Sequence, residues 1–171
     1  MSTVTTPQSA PAGTWSADPV HSHVSFEVAY AGTNTFRGGF HEYSATLQDG
    51  VLEGSARVAS VDVKDDQLNA HLQTPDFFDA ERFPEIAFRT SDLERGELTI
   101  KGVTRPVAIL ATVSEPNVDP FGRERVGITL EATVDRNEFG VSWNAPNQGG
   151  GDYLGDNVTV RAELALVRQA S

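Results

Sequence analysis

The sequence predicts an all-β protein, about eight antiparallel strands arranged as a barrel or sandwich, with one short helical insertion near residues 65–83. Three observations carry this. Apolar and polar residues alternate with period two through most of the chain after residue 13, the pattern of strands with one buried face. Turn-forming residues, among them Asp49-Gly50, separate these segments as in hairpin-connected sheets. Only the stretch from Asp65 to Pro84 breaks the period, with Leu68 and Leu72 four apart as on a helix face. A chain of 171 residues suffices for one domain with its own core.

Residues 1–12 are small, polar and proline-containing and read as a flexible leader, which leaves 13–171 as a single domain. From Val20 the alternation puts Val20, Val24, Phe26, Val28 and Tyr30 on one face and His21, His23, Ser25 and Glu27 on the other. Gly38-Gly39 then precedes FHEYSATL, and Asp49-Gly50 joins it to VLEGSARVASVDV in a hairpin. In the insertion, Asp65 or Asp66 supplies an N-terminal cap, and Thr74-Pro75 opens a second short turn carrying Phe77 and Phe78. EIAFRTSDL, ELTIKG and RPVAILATV follow as strands. RERVGITLEATV aligns Val126, Ile128, Leu130, Ala132 and Val134, and NVTVRAELALV aligns Val158, Val160, Ala162, Leu164 and Leu166.

Charge excludes some partners. With 24 acidic and 13 basic side chains the net charge is -11, so a nucleic-acid backbone is repelled. Arg37, Arg57, Arg82, Arg89 and Arg105 are dispersed and form no basic run. Eleven of the 13 basic residues are arginine, a bias that fits a high-GC bacterial source. The absence of cysteine rules out disulfides and thiolate chemistry. No segment approaches the ~20 apolar residues of a membrane span, so stable membrane insertion is not expected. The first residues lack the basic start and apolar stretch of a secretory signal, which makes a soluble, cytoplasmic protein the expectation.

Candidate chemistry is sparse. His21 and His23 in DPVHSHVSF share a face if the segment is a strand, and a metal would still need a third ligand. His41 and His71 have no spacing that assures convergence with them. No G-x-S-x-G elbow is present. Gly149-Gly150-Gly151 lacks the lysine and hydroxyl residue of a phosphate loop, and residues 144–152 read as a loop that either covers a barrel mouth or simply connects strands. No catalytic and no metal residues are therefore assigned. Small residues at inward positions, Ala56, Ala111, Ala132 and Ala162, either leave room in the interior or interdigitate with larger neighbours.

Six segments, in order, resemble the YceI-like family of polyisoprenoid-binding proteins. They are TWSADPVHSHVSF, GTNTFRGGFHEYSATL, HLQTPDFFDAERFPEIAFRT, LTIKGVTRPVAILATV, DRNEFGVSW and GDNVTVRAELAL, together spanning roughly Gly13 to Arg168. The third is the most specific, joining a His-Leu pair to a phenylalanine-rich turn and a strand. Where the family often carries an arginine-aspartate pair before this His-Leu, Asn69-Ala70 stands here.

The resemblance implies an extended lipocalin-like antiparallel barrel that encloses a lipid tail. The implied function is non-enzymatic binding, sequestration or transport of a long-chain isoprenoid or isoprenoid-quinone-like lipid. An amphiphilic small molecule is then the partner, and no cofactor is needed beyond the bound lipid. The lining expected on this basis is Val24, Phe26, Val28, Phe77, Phe78, Phe83, Phe88, Ile128, Leu130, Phe139, Trp143, Val160 and Leu164. Arg89 or Arg136 would meet a polar head group near the mouth. His21 and His23 would then face away from the lumen, with His21 hydrogen-bonded to a neighbouring strand or loop. Two alternatives stand beside this reading: a barrel enzyme using a histidine or metal site on a lipophilic substrate, and an interaction module with a filled core. A homodimer formed through strand edges is compatible with any of them.

Overall fold

The computed structural model describes residues 10–144 and 153–169. The leader up to residue 9 and most of the 144–152 loop lie outside the described residues.

The chain opens with β1 (Thr14–Ala17), β2 (His23–Tyr30) and β3 (Asn34–Phe40), followed by β4 (Tyr43–Gln48), β5 (Val51–Arg57) and the short β6 (Val61–Asp62). Helix α1 (Asp66–Leu72) interrupts the strands. Then come β7 (Glu85–Thr90), β8 (Arg95–Ile100), β9 (Val103–Ala108), β10 (Leu110–Val113), β11 (Asn117–Val118), β12 (Glu124–Asp135) and β13 (Leu154–Arg168). Every strand pair is antiparallel.

The long β12–β13 pair is the spine. One edge of β13 pairs with β12 over Asn157–Val167. Its other edge is shared, by β2 along Leu154–Glu163 and by β1 along Leu166–Arg168. Two wings therefore leave β13 side by side. One runs β2–β3–β6, and the other runs β1–β4–β5–β7–β8–β9. Among the described residues no backbone pairing joins β9 to β12. The chain itself makes the return, since β9 passes through Ile109 into β10, which pairs with β12. The barrel is therefore not closed by strand pairing, and one bent segment that changes partners spans the gap.

Local chemistry sets the details. Asp49 and Gly50 have φ of 50° and 86°, the left-handed pair that a two-residue hairpin requires. The Asp65 carboxylate accepts from the Leu68 amide at 2.9 Å and caps α1. Thr74 opens the expected second short turn, but its side chain does not cap it. Its hydroxyl donates back to the His71 carbonyl at 2.6 Å, and Pro75 to Phe78 form turns. Cross-strand ion pairs occupy two of the dispersed arginines, Arg37 with Glu27 and Arg89 with Glu53, both at 3.0 Å. Such exposed pairs contribute ~0–1 kcal/mol each.

Where β1 meets the C-terminal end of β13, the barrel is sealed. Trp15, Leu47, Ile128 and Leu166 are each 1 % exposed or less, and the Trp15 Nε1 donates to the Ala12 carbonyl at 3.0 Å.

Several expectations change. The all-β antiparallel fold stands, but the described residues form thirteen strands instead of about eight. β1, β6, β10 and β11 have two to four residues each, too few to display a period. Gly38-Gly39 lies inside β3, and the turn falls at His41-Glu42. Val20 is exposed in the turn before β2, not on its apolar face.

Candidate functional site

Above the sealed end the interior is hollow. The main cavity has a volume of about 450 Å³, within the range of small-molecule pockets. Each element contributes through its inward residues. β2 supplies Val24, Phe26 and Val28, and β3 supplies Phe36 and Phe40. Leu68 and Leu72 enter from the apolar face of α1, Phe77 and Phe78 from the turns after it, and Val158 and Val160 from β13. The 3-10 turn Arg136–Phe139 adds Phe139, and Trp143 follows.

The aromatic rings brace one another. Centroids lie 5.7 Å apart for Phe26 and Phe40, 6.0 Å for Phe40 and Phe78, and 5.3 Å for Phe77 and Trp143. A smaller compartment of about 110 Å³ adjoins the main one toward the sealed end. Its walls include Ala45, Gly54, Ala56, Ala132 and Ala162 together with Phe88, Leu130 and Leu164. Small side chains here leave the room that larger ones would fill.

Polar groups are few. Arg136 lies in the main cavity wall and is buried. Its Nε donates to the Gly155 carbonyl at 2.8 Å, and its Nη1 donates to the carbonyls of Val141 and Trp143 at 2.7 and 2.9 Å. The guanidinium thereby pins the segment that carries Phe139 and Trp143. His71 packs edge-on against Phe77 and Trp143, with centroids 5.0 and 4.9 Å away, and its Nε2 lies 3.0 Å from the Asp76 carboxylate. Tyr30 and Tyr153 line the cavity and remain partly exposed, which marks its opening. Their rings are 5.2 Å apart, and the hydrogen bond between them pushes the Tyr30 phenol up from its ordinary value.

Of the lining residues expected from the sequence, Phe26, Val28, Phe77, Phe78, Phe139 and Trp143 face the main cavity. Phe88, Leu130 and Leu164 face the inner compartment, and Val24 and Val160 face both. Phe83 and Ile128 lie outside both walls. The Phe83 ring packs over the β8–β9 turn, where a Cβ on Gly102 would stand 2.6 Å from it. Ile128 shares the inward face of Leu130 but belongs to the sealed end. Arg89 is on the outer face with Glu53, so only Arg136 of the two arginines reaches the cavity. Ala111 is packed outside the inner compartment, unlike Ala56, Ala132 and Ala162. Phe36, Leu68 and Leu154 were not foreseen; the Phe36–Gly38–Phe40 alternation carries the signal for Phe36, interrupted by the glycine.

Gly38 is required by this packing. A Cβ there would stand 2.5 Å from Phe26 Cζ and 2.6 Å from Val63 Cγ1. Gly38→Ala is expected to turn the Phe26 ring into the lumen and to cost about 1–3 kcal/mol of stability through overpacking. Urea unfolding and titration with a tail-bearing ligand should both register the change; an unaltered affinity would show that the ring moves elsewhere.

The histidines are separated by local structure. β2 begins at His23, while His21 sits in the preceding turn with its Nδ1 2.7 Å from the Asp18 carboxylate. Asp18 also accepts from Arg125 Nη1 at 3.1 Å, and Arg125 Nε donates to Asp119 at 2.7 Å. Hydrogen bonds from His21, the Val20 amide and Arg125 lower the Asp18 pKa from 3.8 to about 2. Since the folded value is depressed, this stabilisation is present above pH ~4 and is lost as pH falls through ~2. Asp18→Asn is expected to flatten the stability profile in that window, measured as urea midpoints between pH 5 and 2. Among the described residues no group of three or more His, Asp and Glu is placed to hold a metal.

An antiparallel barrel with an apolar hollow, sealed at one end and carrying two partly exposed tyrosines at the other, defines a lipocalin-like enclosing protein. The chain belongs to the YceI-like family: the YceI-like domain matches residues 15–166. It is similar to a UPF0312 protein of Staphylococcus aureus, with 26 % identity over 157 residues, covering 85 % of this chain and 92 % of that one. Its fold is similar to that of Burkholderia cenocepacia BcnA, with a TM-score of 0.74 at 22 % identity, covering 90 % of this chain and 99 % of that one. A polyisoprenoid-binding domain from Saccharophagus degradans, implicated in plant cell wall breakdown, matches with a TM-score of 0.74 at 12 % identity, covering 91 % of this chain and 98 % of that one.

Proposed function

We propose that this protein binds, and so sequesters or carries, a long-chain isoprenoid or isoprenoid-quinone-like lipid in its lumen, without performing chemistry on it. The observation that carries the reading is the 450 Å³ cavity walled mainly by aliphatic and aromatic side chains. A tail needs no catalytic group to be held, because each buried CH₂ contributes ~0.8 kcal/mol. The polyisoprenoid-binding neighbour supports the same class of ligand. Arg136, Tyr30 and Tyr153 supply polar atoms at or near the opening, where a head group would remain. No described helix is long and apolar enough to cross a membrane.

Trp143 offers a direct test. The chain has two tryptophans, and only Trp143 lines the cavity, Trp15 being in the sealed end. Addition of an isoprenoid quinone is expected to quench fluorescence saturably, and Trp143→Phe should remove most of that response. Quenching that never saturates would contradict specific binding.

One specific contact favours a second reading, an enzyme acting on a lipophilic substrate. His71 is held by Asp76 at the cavity wall, the arrangement of an oriented general base. Under the carrier reading His71→Phe leaves quinone uptake intact. Chemical turnover of a bound lipid that disappears in this variant would establish the enzyme instead.

A further inference from the structure

We propose that the lumen measures its ligand, accepting one linear, methyl-substituted isoprenoid tail of about twenty carbon atoms whose far end is seated in the alanine-walled inner compartment. This rests on the lipid-binding reading and adds the tail length and the residues that set it.

Strand register orders the levels of the barrel. Tyr30 pairs with Leu154 at the opening. Along β12, Val134 faces the main cavity, Ala132 and Leu130 face the inner compartment, and Ile128 lies in the seal. β13 repeats the sequence, with Val158 in the main cavity, Ala162 and Leu164 in the inner compartment, and Leu166 in the seal. Both strands give one axial order: opening, main cavity, inner compartment, closed end.

The compartments adjoin and share part of their walls. Val24, Ala56, Ile86, Leu98 and Val160 face both, and they come from opposite walls, β2 and β13 on one side and β5, β7 and β8 on the other. They form a collar through which one chain passes. Beyond it the inner compartment is bounded by Leu164 and Leu130.

Volume sets the length. A cavity of ~150 Å³ takes up one six-carbon benzene. Scaled from that value, 450 Å³ holds about eighteen carbons and 110 Å³ about four more. The total is close to four isoprene units. Ala162 is the adjustable position, because its methyl faces only the inner compartment. Ala162→Leu adds three carbons and fills most of that space.

The test is a length series on lipid-stripped protein, with C15, C20 and C40 polyprenols as probes and binding read by native mass spectrometry. Affinity is expected to rise by about fourfold for each additional buried CH₂ up to C20, and not to rise further at C40. Ala162→Leu leaves room for about nineteen carbons and should lower C20 affinity by about fourfold for each carbon displaced, which narrows the advantage of C20 over C15. Ala132→Leu, on the neighbouring strand β12, should do the same and serves if the first variant does not fold. Affinity that keeps rising to C40, or a length profile that neither variant alters, overturns the inference while leaving lipid binding in place. Failure of every length to bind overturns the carrier reading and this inference with it.

Discussion

Val160→Trp is expected to abolish binding of a long tail while leaving the barrel folded. Val160 faces both compartments and lies in register with Phe26 on β2 and Ala132 on β12. An indole at this level occupies the collar and part of the main cavity. A tail would lose its place in the inner compartment and several carbons on the near side. Four buried CH₂ groups correspond to ~3 kcal/mol, or roughly a hundredfold in affinity, so the loss should be at least that large. The new ring enters open space, and the stability cost should stay within the ~1–3 kcal/mol of an overpacked core. Equilibrium titration and urea unfolding of the same preparation separate the two effects. Undiminished affinity in a folded variant would place the tail elsewhere.

The largest effect on stability is expected from Trp15→Ala. Trp15 is 1 % exposed, pairs across the sheet with Leu47 and Arg168, and closes the sealed end. Removing a buried tryptophan costs ~3–5 kcal/mol, a large share of the 5–15 kcal/mol that holds a domain together. The urea midpoint should fall steeply. Tail affinity of the molecules that remain folded should not change, because Trp15 touches neither compartment. A variant that kept its midpoint would mean that the end seal contributes little. Loss of affinity without loss of stability would mean that the tail reaches further than the inner compartment.

The legible part of this structure is the part written in periods and local turn chemistry. The alternations of β12 and β13, the Asp49-Gly50 hairpin and the Asp65 cap are all settled by neighbours in sequence. The return through Ile109 was not legible, since the change of partner from β8 to β12 depends on where distant strands lie. Depth was hidden as well. Ile128 and Leu130 have the same facing, and only the position of the Trp15 seal makes one a plug and the other a wall. Phe77, Phe78 and Phe83 carry equal apolar weight in the insertion. Asp79, buried with a φ of 53°, turns the chain between them and sends Phe83 to Gly102. His21 and His23 look like a strand pair because nothing in their spacing announces that Asp18 holds His21 in a turn.

Native mass spectrometry of the purified protein, followed by organic extraction and identification of the released material, tests the central claim most directly. A single long-chain lipid at near-unit occupancy, displaced by added isoprenoid quinone and absent from Val160→Trp, is the predicted result. A protein that leaves cells empty and takes up neither polyprenols nor quinones would contradict the account.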